Sequence, residues 1–195
     1  ICYNYHMHKI ELQDGERIDQ LFSTDVQIIQ NREVFSYSVD SVLLSRFPKM
    51  PAKKGLIVDL CSGNGAVGLF ASTRTKAQIV QVELQERLAD MNRRSIELNG
   101  LEEQLTVIND DLANLPQYDL RSKVDLMLCN PPYFKVDESS NLNESEHYLL
   151  ARHEIATNLD NICQVAQQVL KSNGRLAMVH RPDRFLDILD KLRIY

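Results

Sequence analysis

At 195 residues the chain has the length of one ordinary domain. Its 44% apolar and 25% charged residues are enough to build a packed core without disulfides or metal ions, and no metal is expected. A formal charge of −5 excludes the global positive field of a strongly basic nucleic-acid binder, which lowers the expectation of a polyanionic substrate without removing it. Cys2, Cys61, Cys129 and Cys163 are scattered without a C-x-x-C pair, no apolar run approaches membrane-spanning length, and no signal-peptide pattern opens the chain. A reduced, cytoplasmic protein with no membrane partner is the simplest expectation.

Residues 1–54 read as a helical preface with a basic connector, and residues 55–195 as the main domain. In the preface "GERIDQLF" (15–22) suggests a short helix. "YSVDSVLLSRF" (37–47) suggests another, with Val39, Val42, Leu43 and Phe47 on one face. The Pro-punctuated "RFPKMPAKKG" (46–55) follows as the connector. From there strand and helix alternate. Strands are predicted at "GLIVDL" (55–60), "AQIVQVEL" (77–84), "LTVIND" (105–110), "VDLMLCN" (124–130) and "GRLAMVH" (174–180). Helices are predicted at 66–73, at 85–100 stopped by Gly100, and at 158–174 stopped by Gly174. Strands apolar on both faces, separated by amphipathic helices, specify an α/β fold: a parallel, Rossmann-like sheet with helices on both sides.

Ligands in such folds bind at the carboxyl ends of the strands, where strand order reverses. After the first strand comes "DLCSGNGAVGLF" (59–70), in which Gly63, Gly65 and Gly68 satisfy G-x-G-x-x-G between strand and helix. A tight turn without Cβ atoms lets a ligand lie against the backbone, although a turn that merely uses glycine would read the same. The second strand ends in Glu83, about 20 residues on, where a carboxylate accepts from both ribose hydroxyls of a nucleoside. A nicotinamide dinucleotide and S-adenosylmethionine fit that carboxylate equally, and a solvated charge at a helix start is the bland alternative. Asp59 breaks the tie in part, because an acid before the loop suits an ammonium or sulfonium charge and repels a pyrophosphate. "NDDL" closes the third strand and offers Asp110 or Asp111 to an adenine amino group.

The fourth strand runs into Asn130-Pro131-Pro132-Tyr133, the most specific signal in the chain. An exocyclic amino group on an aromatic ring is a poor nucleophile, because its lone pair is delocalised. Two acceptors aimed at its hydrogens pull the nitrogen toward tetrahedral geometry. The Asn130 side-chain oxygen is one, and the Pro131 carbonyl is a natural second, since consecutive prolines leave no local donor for it. Tyr133 offers a ring for a planar base to stack on. Asparagine is no base, so the chemistry rests on positioning, with the proton lost afterwards to water.

Asp59-x-x-x-Gly63-x-Gly65, Glu83, Asp111 and Asn130-Pro131-Pro132-Tyr133 resemble the class I S-adenosylmethionine-dependent methyltransferases acting on amino groups. "RIDQL", "IIQNREVFSYSVDSVLL", "DLCSGNGAVGL", "VELQERLADMNRRSIELNGL", "NPPYF" and "ARHEI" extend the resemblance over most of the chain to the bacterial tRNA adenine-N6 methyltransferases that modify a valine tRNA beside its anticodon. The resemblance implies S-adenosylmethionine as cofactor, tRNA with an unpaired adenine as partner, and catalysis at Asn130, Pro131, Pro132 and Tyr133. It places Asp59, Gly63 and Gly65 near the cofactor's amino acid and ribose, and Glu83 on the ribose. Asp111 falls near the adenine, and the segment of Asp40 closes over the methionine end. Two departures stand out. Cys61 occupies a loop position usually held by glycine, and the sequence ends at Tyr195 in the helix after the fifth strand, so the family's C-terminal strand hairpin is expected to be missing.

Two basic groups, Arg46, Lys49, Lys53 and Lys54, and Arg175, His180, Arg181 and Arg184, are candidate phosphate contacts, each of which reads equally as solvated charge. The acidic "KVDESSNLNESEH" (135–147) reads as a lid beside the pocket, and His153 and Glu154 as caps or lid anchors. Methylation of a glutamine amide in a protein and a noncatalytic RNA-binding module are the other readings of the motif. A nicotinamide enzyme would need a hydride-transfer acid or base, and none is found in the sequence.

Overall fold

The computed structural model describes residues 10–21, 23–32, 36–131 and 159–195. Strands β1 (Glu16–Gln20) and β2 (Gln27–Asn31) form an antiparallel hairpin with Ile18 opposite Ile29. The helix expected from residue 15 is therefore a strand. So short a helix is marginal by itself, and the β-branched "QII" segment after a turn closed by Leu21 N–H to the Val26 carbonyl (2.8 Å) supplies a better partner.

Helix α1 (Val39–Arg46) starts where expected, its cap Ser38 accepting from the Asp40 N–H at 3.2 Å. Its buried face differs from the one expected, of which Val42 is partly buried and packs on the core. Val39, Leu43 and Phe47 are 70%, 56% and 82% exposed, while Ser41, Leu44 and Ser45 are buried. Small serines let α1 approach α2 closely, and that contact outweighs the apolar stripe.

The main sheet comprises β3 (Leu56–Leu60), β4 (Gln78–Glu83), β5 (Leu105–Asn109), β6 (Val124–Cys129) and β7 (Leu170–Met178), all parallel in the order β5-β4-β3-β6-β7. Helices α2 (Ala66–Ser72), α3 (Glu86–Leu98), α4 (Leu159–Val169) and α5 (Phe185–Ile194) complete it. Ile57, Ile79, Leu105, Leu126 and Leu128 pack under α1, α2 and Ile96 of α3. Val58, Leu60, Val82, Val124 and Met127 pack under Ile162 and Val165 of α4 and a 3-10 turn at Leu112–Gln117. The two clusters alternate along each strand, so both faces are buried and the fold is the Rossmann-like one expected.

One boundary moves. Gly174 does not stop α4, which ends at Val169. Leu170 already pairs with Val124, and a bulge follows before Arg175 pairs with Leu126. Gly174 lies in that bulge, where an added Cβ would sit 2.8 Å from the Lys171 carbonyl and 2.9 Å from that of Val124.

Candidate active site

Strand order reverses at β3. The chain steps outward through β4 and β5, then returns to place β6 on the other side. Leu60 and Cys129 are register partners, so the loop after β3 and the Asn130-Pro131 corner after β6 leave the sheet side by side. Two segments far apart in sequence thus lie side by side at the carboxyl end of the sheet.

The loop is held from several directions. Its residues 62–65 are buried and the Gly65 N–H bonds the Ser62 carbonyl at 2.9 Å. Gly65 starts α2 with φ +91, and a Cβ there would run into the side chain of Asn92 on α3. Gly68 serves close packing instead, since its Cβ would meet Gln81 of β4. Cys61 has φ +54, the left-handed region that favours glycine, which accounts for glycine being the usual residue there. Its thiol hydrogen-bonds with Cys129, and that bond together with burial pushes the Cys129 thiol up.

Asp59 points to the α2 side of the sheet. Its Oδ2 accepts from the Gly68 N–H at 3.1 Å and from Gln81 Nε2 at 3.3 Å, while Oδ1 finds no donor among the described residues. With 1% exposure, burial raises this carboxyl to about 7, against those two hydrogen bonds and with help from the Glu83 charge. Glu83 ends β4. Its Oε2 accepts from the Gly63 N–H at 2.8 Å and its Oε1 from the Gln85 N–H at 2.9 Å, and burial still leaves its pKa raised. Each oxygen keeps acceptor capacity beyond one bond.

After β5, Asp110 is fully engaged. Oδ1 takes the Asp111 N–H and Asn114, and Oδ2 takes the Tyr118 hydroxyl at 2.7 Å. Asp111 spends Oδ1 on the Ala113 N–H at 2.9 Å, capping the 3-10 turn. Asp40 lies half-buried in the first turn of α1, which packs on α2. Asn130 is half-buried and Pro131 buried. Pro132, Tyr133, the segment 135–147, His153 and Glu154 lie outside the described residues.

The fold thus brings Asp59, Gly63, Gly65, Glu83 and the Asn130-Pro131 corner to one end of the sheet. It does not keep the two basic groups apart as units, since Arg175 of β7 donates to the Lys49 carbonyl at 2.6 Å. Lys53 and Lys54 precede the amino end of β3, whereas His180, Arg181 and Arg184 follow the carboxyl end of β7. Sequence reading overlooked Gln81, Asn92 and Asn64. Each carried a signal: a polar residue inside an apolar strand, on the buried stripe of an amphipathic helix, or between two loop glycines. Among the described residues no group of His, Cys, Asp or Glu could hold a metal ion, and no helix is long and apolar enough to cross a membrane.

The profile of the methyltransferase small domain matches residues 25–193. A tRNA1(Val) (adenine(37)-N6)-methyltransferase of Shewanella loihica is 27% identical over 164 residues, covering 80% of this chain and 65% of that one. The enzyme of that name from Aliivibrio fischeri is 30% identical over 143 residues, covering 73% and 58%. The chain therefore spans roughly three-fifths of the length of these curated relatives. Among solved structures, P. horikoshii TYW2 in complex with MeSAdo superposes with a TM-score of 0.66 at 13% identity, over 93% of this chain and 60% of that one. Geranyl diphosphate C-methyltransferase of Streptomyces coelicolor, solved with S-adenosyl-L-homocysteine, does so at 0.56 and 14%, over 73% and 44%. The residues present suit a cationic nucleoside ligand, with a buried Asp59 oxygen that lacks a donor among the described residues beside a turn whose Gly65 has no room for a Cβ. The chain belongs to the methyltransferase small-domain family.

Proposed function

We propose that this protein methylates the exocyclic N6 of an unpaired adenine in tRNA, at the anticodon-loop position that the names of its relatives specify. The observation that carries the reading is the pairing of Leu60 with Cys129, which sets the Asn130-Pro131 corner beside the glycine loop. S-adenosylmethionine supplies an electrophilic methyl group on a sulfonium. Asp59 would face its positive charge, Gly63 and Gly65 would let it lie against the backbone, Glu83 would accept from the ribose, Asp111 would receive the adenine, and the Asp40 segment would cover the methionine end. Asn130 accepts one hydrogen of the substrate amine through its side-chain oxygen, and the Pro131 carbonyl accepts the other. Both hold the nitrogen lone pair toward the donor site. The roles assigned to Pro132 and Tyr133, which lie outside the described residues, are to stiffen the corner and to stack on the base. Catalysis by positioning of this kind needs no side-chain base, and the proton leaves to water. An anticodon-loop adenine suits such a site because extruding an unpaired base costs little.

The test incubates the protein with methyl-labelled S-adenosylmethionine and tRNA lacking the modification, then separates the digested nucleosides. Label in N6-methyladenosine is expected from the wild-type protein. Asn130→Ala is expected to lose transfer by at least 100-fold while its cofactor Kd stays within about twofold. Label in a protein fraction instead would move the reading to a glutamine amide. Cofactor binding without any transfer would make the chain a noncatalytic module, and equal activity in Asn130→Ala would end the proposed geometry.

A further inference from the structure

Asn64 stands between Gly63 and Gly65 and is fully buried, yet it points away from the sheet toward the N-terminal hairpin. Its Nδ2 donates to the Ile29 carbonyl of β2 at 3.0 Å. Only the N–H side of the amide can face a carbonyl, so this bond fixes the side chain's orientation. Ile29 is pinned again on the same edge, where its N–H donates to Ser95 Oγ of α3 at 3.0 Å. Ser95 Oγ in turn donates to the Met91 carbonyl at 2.7 Å, and the Ile29 side chain packs on Leu88 and Met91. Two residues earlier, the Gln27 N–H donates to Asn99 Oδ1 at 2.8 Å and its carbonyl accepts from Asn99 Nδ2 at 2.7 Å. Side chains of α3 and the loop therefore satisfy the outer edge of β2 as a neighbouring strand would.

We infer that Asn64 is a positioning residue for the cofactor loop. It ties the Gly63–Gly65 turn to the Ile29 carbonyl of the N-terminal hairpin, so this one bond holds the turn from the hairpin side. Two glycines flanking one residue leave that turn conformationally loose in itself, and the loop's other side-chain restraints are Glu83 on Gly63 and Gln81 on the Gly65 carbonyl at 3.2 Å from the sheet, with Asn92 of α3 on Ser62 Oγ at 3.4 Å. The Ile29 bond supplies the opposing restraint. Removing it leaves a buried carbonyl without its donor and lets the turn sample shapes that do not fit the ligand.

The inference rests on S-adenosylmethionine as the cofactor, which wild-type binding tests separately. Asn64→Ser and Asn64→Asp would be compared with Asn99→Ala, which cuts a hairpin anchor away from the loop. Calorimetry would read Kd for S-adenosylhomocysteine, melting would read stability, and hydrogen exchange on the ligand-free protein would read the Ser62, Gly63 and Gly65 amides. The Asn64 variants are expected to weaken binding at least fivefold and to speed exchange at those amides. Asn99→Ala is expected to lower the melting temperature with Kd within about twofold. Wild-type exchange at the loop in Asn64→Ser overturns the inference whether or not ligand binds. An equal loss of affinity in Asn99→Ala also overturns it, because general softening would then explain both.

Discussion

The carboxyl of Asp59 is held near 7 mainly because burial disfavours its charge, and the one oxygen without a donor leaves that penalty incompletely offset. Because its folded value lies above the usual 3.8, Asp59 contributes stability that is fully present below pH 3.8. That contribution falls as pH rises toward about 7, by about 1.4 kcal/mol per pH unit in between. A cationic ligand reverses the preference by favouring the carboxylate. Binding should therefore release a proton near neutrality, and the Kd for S-adenosylmethionine should tighten severalfold between about pH 6 and 8. Calorimetry in buffers of different ionisation enthalpy would detect the proton. Asp59→Asn should flatten the pH profile, weaken binding, and make the ligand-free protein more stable than wild type at about pH 8. A wild-type pH slope in that variant would remove Asp59 from contact with the charge. Positions 59, 63, 65, 83 and 130 could be placed at the carboxyl end of the sheet because each ends or follows a recognisable strand. The backing residues Gln81, Asn92 and Asn64 carried a signal as polar residues in apolar or glycine-flanked positions, but what a lone buried amide bonds to is set only in three dimensions.

Strands β3 to β6 and helices α2 and α3 could be read from sequence because apolar residues on both strand faces and a clear helical stripe leave one packing solution. The elements that misled are those whose fate depends on a distant partner. Residues 16–20 are a strand because β2 completes the hairpin, α1 turns its serines inward because α2 lies close, and Gly174 belongs to a bulge set by Val124. The hairpin itself is fastened by Arg94 of α3, whose guanidinium donates to both oxygens of Glu16 at 2.7 Å and also pairs with Asp90. Burial raises the Glu16 carboxyl, but the Arg94 bonds, the Gln13 N–H, and the charges of Arg94 and Arg87 outweigh it and leave the value lowered. A lowered carboxyl contributes stability above its usual 4.5 that is lost as pH falls through the folded value. The Glu16 side chain is fully buried and that of Arg94 is 15% exposed. Arg94→Ala should therefore leave a buried carboxylate without its cation and cost on the order of 2 kcal/mol. Denaturant melts at pH 7 would read that loss. Melts at about pH 4 should show a smaller difference between the two proteins, because acid has already cost the wild type part of the same interaction. A constant difference across that range would mean that Arg94 acts through packing rather than charge.

Across the whole molecule the sheet has two chemically different ends. Its carboxyl end carries the glycine loop, Asp59, Glu83 and Asn130, together with His180, Arg181 and Arg184. Those two arginines are largely balanced already: Arg181 donates to Asp183 at 3.1 Å and Arg184 to Asp187 at 2.8 Å. Lys53 and Lys54 are exposed at the opposite end, a full strand away, or about 16 Å for a five-residue strand. On the proposed function, and with a net charge of −5, electrostatic attraction to RNA must come from a local surface rather than from the molecule as a whole. An RNA loop presented to Asn130 lies over the carboxyl end, so Lys53→Gln combined with Lys54→Gln should leave the KM for tRNA within about twofold. Arg181→Gln combined with Arg184→Gln should raise it severalfold and reduce the slope of log KM against log salt by about 0.7 for each single-strand phosphate that the arginines no longer neutralise. Steady-state methylation at three salt concentrations would measure both. If the lysine pair raises KM instead, the tRNA body must wrap from the carboxyl end of the sheet to the amino ends of the strands, and the connector before β3 becomes part of the substrate surface.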